Sequence, residues 1–200
     1  KMEEQQKLKI EFINLKNFSL NNYGSVDDSP YGGGPGMVIR ADVLWNVLEK
    51  GIIIPGGYGE NFKEKLQVVF PSPRGYVWNA ERARDFAKRN LNLDSIDEGK
   101  DLVFFSGRYE GIDERFIKLF VNEEISVGDF VLTGGELAIL TILDSSFRFV
   151  PKVLGNDLSA DAESFAGMML EHPQFTRPLE VMGEEVPEVL SGGHHAKIVE

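Results

Sequence analysis

The 200 residues carry 21 Lys and Arg against 32 Asp and Glu, a net charge of −11, with 42% hydrophobic and 26% charged side chains and no cysteine. That balance excludes a disordered chain, a collagen-like repeat and a coiled coil, and no apolar run approaches the ~20 residues of a membrane helix. With no cysteine there are no disulfides, thiolate zinc sites or thiol nucleophiles, which points to the cytoplasm. The charged opening KMEEQQKLK has no apolar h-region and is not read as a secretory signal. Negative charge opposes phosphate neutralisation and alone argues against nucleic acid. It is uneven, however: nine carboxylates and two basic residues from Asn156 onward place −7 of the charge in the last 45 positions.

In chain order, LKIEFINL at 8–15 alternates as a strand does, and a polar stretch runs to Met37. A helix is predicted over Arg40–Gly51, then a loop over 51–65 with four glycines and a proline. LQVVFP at 66–71 reads as a buried strand, SPRG at 72–75 as a turn, and 78–90 as a helix. DLVFFS at 101–106 is the next strand, followed by the turn GRYEG, a helix over 112–120, and two apolar segments around ISVGDFVL at 125–132. A long apolar helix over Glu136–Phe149 stops at Pro151. Residues 155–175 have no clear period and read as flexible. Residues 179–200 show no core of their own. Short apolar strands alternating with helices predict an α/β fold with a mostly parallel sheet in a single domain.

The 21 glycines supply the functional signal. Ser72–Gly75, Gly107–Gly111 and Gly128–Gly135 follow three successive strands, where an open parallel sheet binds ligands. Glycine there exposes main-chain N–H and C=O groups suited to adenine- or methionine-like recognition. Each alone is equally readable as a tight turn; three in register favour a site. YGGGPGM at 31–37 is neither helix nor strand, and within a domain reads as a shaped binding loop rather than a linker.

GxGxxG, GxxxxGK[ST] and GxSxG are all missing, and His172, His194 and His195 lack zinc spacing. The remaining candidates are Arg108, Glu110, Asp113, Arg115, Arg148, Asp157, Asp161 and Glu163. For most of them a solvated surface role is the alternative. Arg148 stands out because it interrupts the apolar helix.

VDDSPYGGGPGM at 26–37, SGRYEGIDER at 106–115, EEISVGDFVLTGGELA at 123–138, RFVPKVLG at 148–155 and QFTRP at 174–178 together resemble bacterial tRNA (guanine-N1)-methyltransferases of the SPOUT superfamily. VPEVL at 186–190, with Gly193, His195 and Ala196, is similar to a further block of that family. The resemblance implies an α/β SPOUT sheet with a C-terminal trefoil knot and transfer of methyl from S-adenosylmethionine to N1 of the guanosine 3′ of the tRNA anticodon. It also implies a homodimer whose active site is completed across the interface, supported by Mg2+, with no DNA or membrane partner. No metal ligand is assigned.

By motif, the cofactor residues are Phe70, Pro71, Ser72, Pro73, Gly107, Arg108, Tyr109, Glu110, Ser126, Val127, Gly128, Phe130, Leu132, Gly134 and Gly135. The resemblance assigns guanine O6 to Arg148 and a purine-edge contact to Glu110. It places Glu163 where the family's general base is an aspartate. Here AESF at 162–165 replaces EDSF, and a glutamate adds a methylene of about 1.5 Å, a displacement that can cost roughly 100-fold. YGSVDD at 23–28 replaces HRTVDD, removing positive charge that could meet phosphate.

The expected organisation is a SPOUT core over 1–155 without its first strand, a flexible acidic inter-domain segment over 156–178, and at 179–200 the start of a C-terminal region whose basic RNA-binding bulk is absent. Two alternatives stand beside this reading. One is a catalytically weakened paralogue that binds cofactor or RNA; the other is a SPOUT methyltransferase with a different RNA target.

Overall fold

A computed structural model describes residues 8–91, 100–151, 153 and 173–192. The chain divides into two compact units, 1–160 and 161–200. In the first unit a 3-10 turn over Leu15–Phe18 precedes a short antiparallel pair, Asp27–Asp28 (β1) and Val38–Ile39 (β2). Ala41–Asn46 (α1) runs into a π-helical segment over Val47–Ile53, and Phe62–Lys65 forms one helical turn (α2). Leu66–Val77 (β3), Ala80–Asn90 (α3), Asp101–Phe104 (β4), Glu114–Phe120 (α4), Glu123–Ser126 (β5) and Glu136–Phe147 (α5) complete the unit.

The sheet has the order β4-β3-β5 and all its pairs are parallel. The chain leaves β3 through α3 for one flank and returns through α4 to the other, so the strand order reverses at β3. Ligands bind at such switch points, outside the carboxyl ends of the strands. β3 is central and buried on both faces, as a parallel core strand should be. Its period of two divides the core. Leu66, Val68 and Phe70 pack with Leu44, Leu48, Phe105 and Phe116, while Val69 packs on the opposite face with Phe86, Ile125 and Ile142. Each such fully buried side chain contributes roughly 1.5–3 kcal/mol.

Two polar devices fix the crossovers. Asn79 caps α3 by accepting from the Arg82 N–H, and the Trp78 indole N–H donates to Ser145 Oγ at 2.8 Å, tying the start of α3 to α5. At the start of β5, Glu123 accepts from Gln67 Nε2 at 2.6 Å, from Arg89 Nη1 at 2.8 Å and from the Tyr76 hydroxyl. Burial pushes the Glu123 carboxyl up, but the hydrogen bonds from Arg89 and Tyr76 outweigh it and hold it below its ordinary 4.5. A carboxylate depressed in the folded state contributes stability above its unfolded value and loses it as pH falls through the folded one. Unfolding free energy is therefore expected to fall below about pH 4.5. Urea titrations between pH 6 and 3 should show a shallower acid limb for Glu123→Gln than for the wild type.

Several expected elements change. Residues 8–14 form no strand: Ile13, Leu15 and Phe18 pack on the first core cluster, and Asn14 Oδ1 caps the 3-10 turn through the Lys16 N–H. The alternation in LKIEFINL leaves Phe12 almost fully exposed, with no sheet partner. The predicted helix over Arg40–Gly51 extends to Ile53 and widens to π geometry, with the Phe18 ring against Gly51. The predicted loop over 51–65 is helical at both ends. Of the apolar segments at 125–132, only the first lies in a strand. The strand at 101–106 ends at Phe104, and the helices at 78–90 and 112–120 begin two residues late, at Ala80 and Glu114.

In the second unit, Glu180–Val181 (β6) and Glu184–Glu185 (β7) form an antiparallel hairpin across Met182 and Gly183. Both turn residues have positive φ, as a two-residue hairpin turn of the primed type requires. Pro187 precedes a short helix, Glu188–Ser191 (α6). Residues 173–192 bury no side chain in a core. The predicted flexible segment falls mostly on 154–172, outside the described residues.

Candidate functional site

The three glycine-bearing turns meet at the carboxyl ends of the parallel strands and line one cavity of about 500 Å³. Phe70–Arg74 supplies one wall, Gly107–Ile112 a second, and Ile125–Gly128 with Phe130–Gly135 a third, closed by Glu114, Ile117 and Ala138. All fifteen residues assigned to the cofactor by motif lie on this lining. Val131 and Thr133, within the third motif, join them, as do Arg74, Gly111, Ile112, Glu114, Ile117, Ile125 and Ala138, which no motif assigns to the cofactor. Ile112, Ile117 and Ala138 belong to α4, α5 or their approaches, and only the packing turns them inward.

Each turn has its own local cause. Pro71 and Tyr76 both register with Ile125, so Ser72–Gly75 loops out of β3 before pairing resumes. Ser72 Oγ accepts from the Arg74 N–H at 3.2 Å and shapes the excursion. A predicted turn and a continuous strand thus coexist. In GRYEG, Tyr109 takes φ +60 and Gly111 φ +117, and the Gly111 N–H donates to Arg108 O at 3.0 Å. At the third turn the Gly135 N–H donates to Gly107 O at 3.0 Å, joining the start of α5 to the second wall. A Cβ on Gly135 would lie 3.0 Å from Gly107 N and 3.1 Å from Ser106 Cα, so glycine permits this approach.

YGGGPGM does not line the cavity but lies against its second wall. The Glu110 N–H donates to Met37 O at 3.0 Å, the Ile39 N–H to Gly111 O, and the Asp113 N–H to Ile39 O. A Cβ on Gly36 would come within 2.4 Å of Glu110 Cγ, so the loop braces the Glu110 side chain.

The charged groups are mostly paired. Arg108 and Glu136 form an ion pair at 2.7 Å across Gly134. The Glu136 backbone N–H, at the positive end of α5, and then Arg108 hold the Glu136 carboxyl below its usual range. Arg74 pairs with Glu114 at 2.8 Å and Glu124 at 3.4 Å. Asp113 and Arg115 have a structural explanation: Asp113 caps α4 by accepting from the Arg115 N–H, and the Arg115 guanidinium closes on the same carboxylate.

Arg148 is the C-cap of α5, not an interruption within it, because the helix ends at Phe147. It is exposed and absent from the cavity lining, whereas Glu110 is on it. Asp157, Asp161, Glu163, His172, His194 and His195 lie outside the described residues. Among the described residues no cluster of three or more His, Asp or Glu could hold a metal ion, and no helix is long and apolar enough to cross a membrane.

A cavity of this size suits a nucleoside-sized ligand. Its walls offer glycine main chain for an adenine edge, apolar surface from Phe70, Ile125 and Leu132, and the carboxylate of Glu110 for a cationic group. The parallel sheet, the switch point and this lining define an α/β domain with a cavity at the carboxyl ends of its strands, walled largely by glycine-bearing turns. The sequence profile of the family described as tRNA (Guanine-1)-methyltransferase TrmD matches residues 1–200.

The tRNA (guanine-N(1)-)-methyltransferase of Clostridium perfringens (strain 13 / Type A) is 44% identical over 191 residues, 96% of this chain and 72% of the relative. That of Carboxydothermus hydrogenoformans is 40% identical over 198 residues, 99% of this chain and 70% of the relative. That of Ruegeria sp. (strain TM1040) is 39% identical over 191 residues, 96% and 71%. The chain belongs to the tRNA (guanine-1)-methyltransferase family.

Proposed function

We propose that the chain methylates N1 of the guanosine 3′ of the tRNA anticodon, taking the methyl group from S-adenosylmethionine held in the three-turn cavity. The observation that carries this reading is the convergence of Ser72–Arg74, Gly107–Gly111, and Gly128 with Phe130–Gly135 on one lining in a member of a methyltransferase family. The cofactor supplies an electrophilic methyl on a sulfonium cation. The exposed main chain of the turns orients the cofactor, and Glu110 balances its positive charge.

The chemistry on guanine needs two further groups. The N1 proton must leave as the methyl arrives, which calls for a carboxylate base, and negative charge developing on O6 calls for a cation. Glu163 is assigned as the base and Arg148 as the O6 partner by motif, with Glu110 on the purine edge. Arg148 lies away from the cavity lining, which suits a group acting on the acceptor rather than the cofactor.

The active form is a homodimer with the site completed by the second subunit. Leu137 and Leu140, three apart on α5, and Phe130 and Val131 before it leave apolar side chains exposed, in support of an interface there. The sheet is of SPOUT type with a C-terminal trefoil knot, in keeping with family membership. Residues 1–155 carry the catalytic core, and 179–200 contribute to gripping tRNA in the cytoplasm. Mg2+ has no protein cage among the described residues, so its support of the reaction is not assigned to any of them.

Methyl transfer to undermodified tRNA carrying guanosine beside the anticodon, with the product nucleotide mapped, tests the reading; cofactor binding without N1-methylguanosine would overturn it. In the same assay Arg148→Ala is expected to lower kcat by about 100-fold or more, on the scale of losing one charge-stabilising group. Cofactor Kd should stay within about twofold of the wild-type value. Equal losses in the two quantities would remove Arg148 from the acceptor side.

A further inference from the structure

We infer that Arg74 is a positioning residue that latches the three walls of the cofactor cavity together. Its side chain springs from the Ser72–Gly75 excursion of β3 and reaches two carboxylates on separate elements. Glu114 Oε2, in the first turn of α4 just after GRYEG, lies 2.8 Å from Arg74 Nη2 with hydrogen-bond geometry. Glu124 Oε1, on β5 ahead of the third turn, lies 3.4 Å from the same nitrogen. One guanidinium therefore spans the segments that carry all three glycine-bearing turns.

The Glu124 contact gives the latch its direction. Glu124 Oε1 is buried and has no hydrogen-bond partner among the described residues, so the Arg74 charge beside it is its nearest compensation. Removing the guanidinium leaves that buried oxygen without the charge beside it, and the side chain is relieved by swinging toward water. That movement loosens β5 against the excursion, where Phe70 registers with Glu124 and Gly75 lies against the Glu124 carbonyl. The cavity would lose shape at its first and third walls together, while the acceptor side stays intact. Glu114 is about half exposed and also 3.9 Å from Lys118 Nζ, so its share of the latch is the weaker one.

This inference rests on the cavity being the S-adenosylmethionine site, and the experiment separates the two. Calorimetry with S-adenosylmethionine on the full-length wild type comes first; failure to bind there sinks the functional reading itself. Given binding, Arg74→Ala is expected to raise cofactor Kd and KM about three- to tenfold, with kcat at saturating cofactor changed less than twofold. Arg74→Lys, a point charge able to face only one carboxylate at a time, should fall between. Glu114→Gln should raise Kd modestly, and in the double variant with Arg74→Ala the two effects should fall short of multiplying.

Cofactor Kd unchanged in Arg74→Ala would overturn the latch, as would kcat falling in step with affinity. If Arg74→Ala fails to fold, Arg74→Lys and Glu114→Gln carry the test. In those two variants a lowered Tm with unaltered Kd would show Arg74 to be a stability element only and overturn the latch.

Discussion

Gly75→Ala is expected to lower unfolding free energy by about 3 kcal/mol, at the upper end of overpacking costs. A Cβ there would lie 2.4 Å from Glu124 C, Glu124 O and Ile125 N. All three are backbone atoms of β5, so no side chain can rotate away. Gly75 is the residue at which the excursion rejoins the sheet, since Pro71 and Tyr76 both register with Ile125. An alanine must push β5 off the central strand or keep the excursion open, and either change disturbs the first and third cavity walls.

For a chain of this length the loss corresponds to roughly 6–12 °C in Tm, read by thermal and urea unfolding. Gly33→Ala is the control. Gly33 has φ +79, and an added Cβ there would meet nothing within 4 Å, so its cost is conformational only, about 1 kcal/mol. If Gly75→Ala loses no more stability than Gly33→Ala, the close approach of β3 to β5 does not hold. Cofactor affinity should fall in Gly75→Ala and stay unchanged in Gly33→Ala.

Glu163→Gln is expected to slow methyl transfer by 100- to 10,000-fold, the usual contribution of a positioned general base. A carboxamide keeps the shape and hydrogen-bonding reach of the carboxylate but cannot accept the N1 proton. The proposed partner of Glu163 is the acceptor base, so cofactor Kd should not move. Single-turnover methyl transfer to undermodified tRNA, with calorimetry alongside, separates the two quantities.

Glu163→Asp supplies the directional arm. It withdraws the carboxylate by about 1.5 Å to the length the family motif uses, and displacement on that scale can change rates roughly 100-fold. A faster Glu163→Asp enzyme would mean that the longer acid is a handicap in this chain. A slower one would mean that the segment has adjusted to glutamate. Glu163→Gln turning over as fast as the wild type would remove the assignment altogether.

Much of the site is legible in the residues alone. LQVVFP and DLVFFS are short apolar runs bounded by turn residues, and ISVGDFVL opens with one. The glycines that follow each run mark where a parallel sheet binds ligands. What escapes the pattern is anything fixed by a distant partner. LKIEFINL alternates like a strand, yet Ile13, Leu15 and Phe18 find their burial on the first core cluster and the backbone finds no sheet. SPRG reads as the end of a strand, and only the register with Ile125 shows that pairing resumes beyond it. Asp113 and Arg115 resemble candidates for chemistry because local spacing cannot tell a helix cap from a catalytic pair. Arg148 reads as a charge inside an apolar helix because Phe149 extends the apolar run past the point where the helix ends.

By itself the sequence determined the α/β class, the three strand-end turns and, through ordered motifs, the methyltransferase family, because these depend on local periodicity and on residue types held at short spacing. The tertiary structure decided that the turns share one cavity, that YGGGPGM braces Glu110, and that Arg74 faces both Glu114 and Glu124. Those contacts join residues far apart in the chain. They arise only when the strand order reverses at β3 and brings the carboxyl ends of three strands to one edge. The net charge of −11 argues against nucleic acid when taken as a sum. Most of that excess falls after Asn156, outside the residues that build the cavity, so a whole-chain total says little about what the cavity binds.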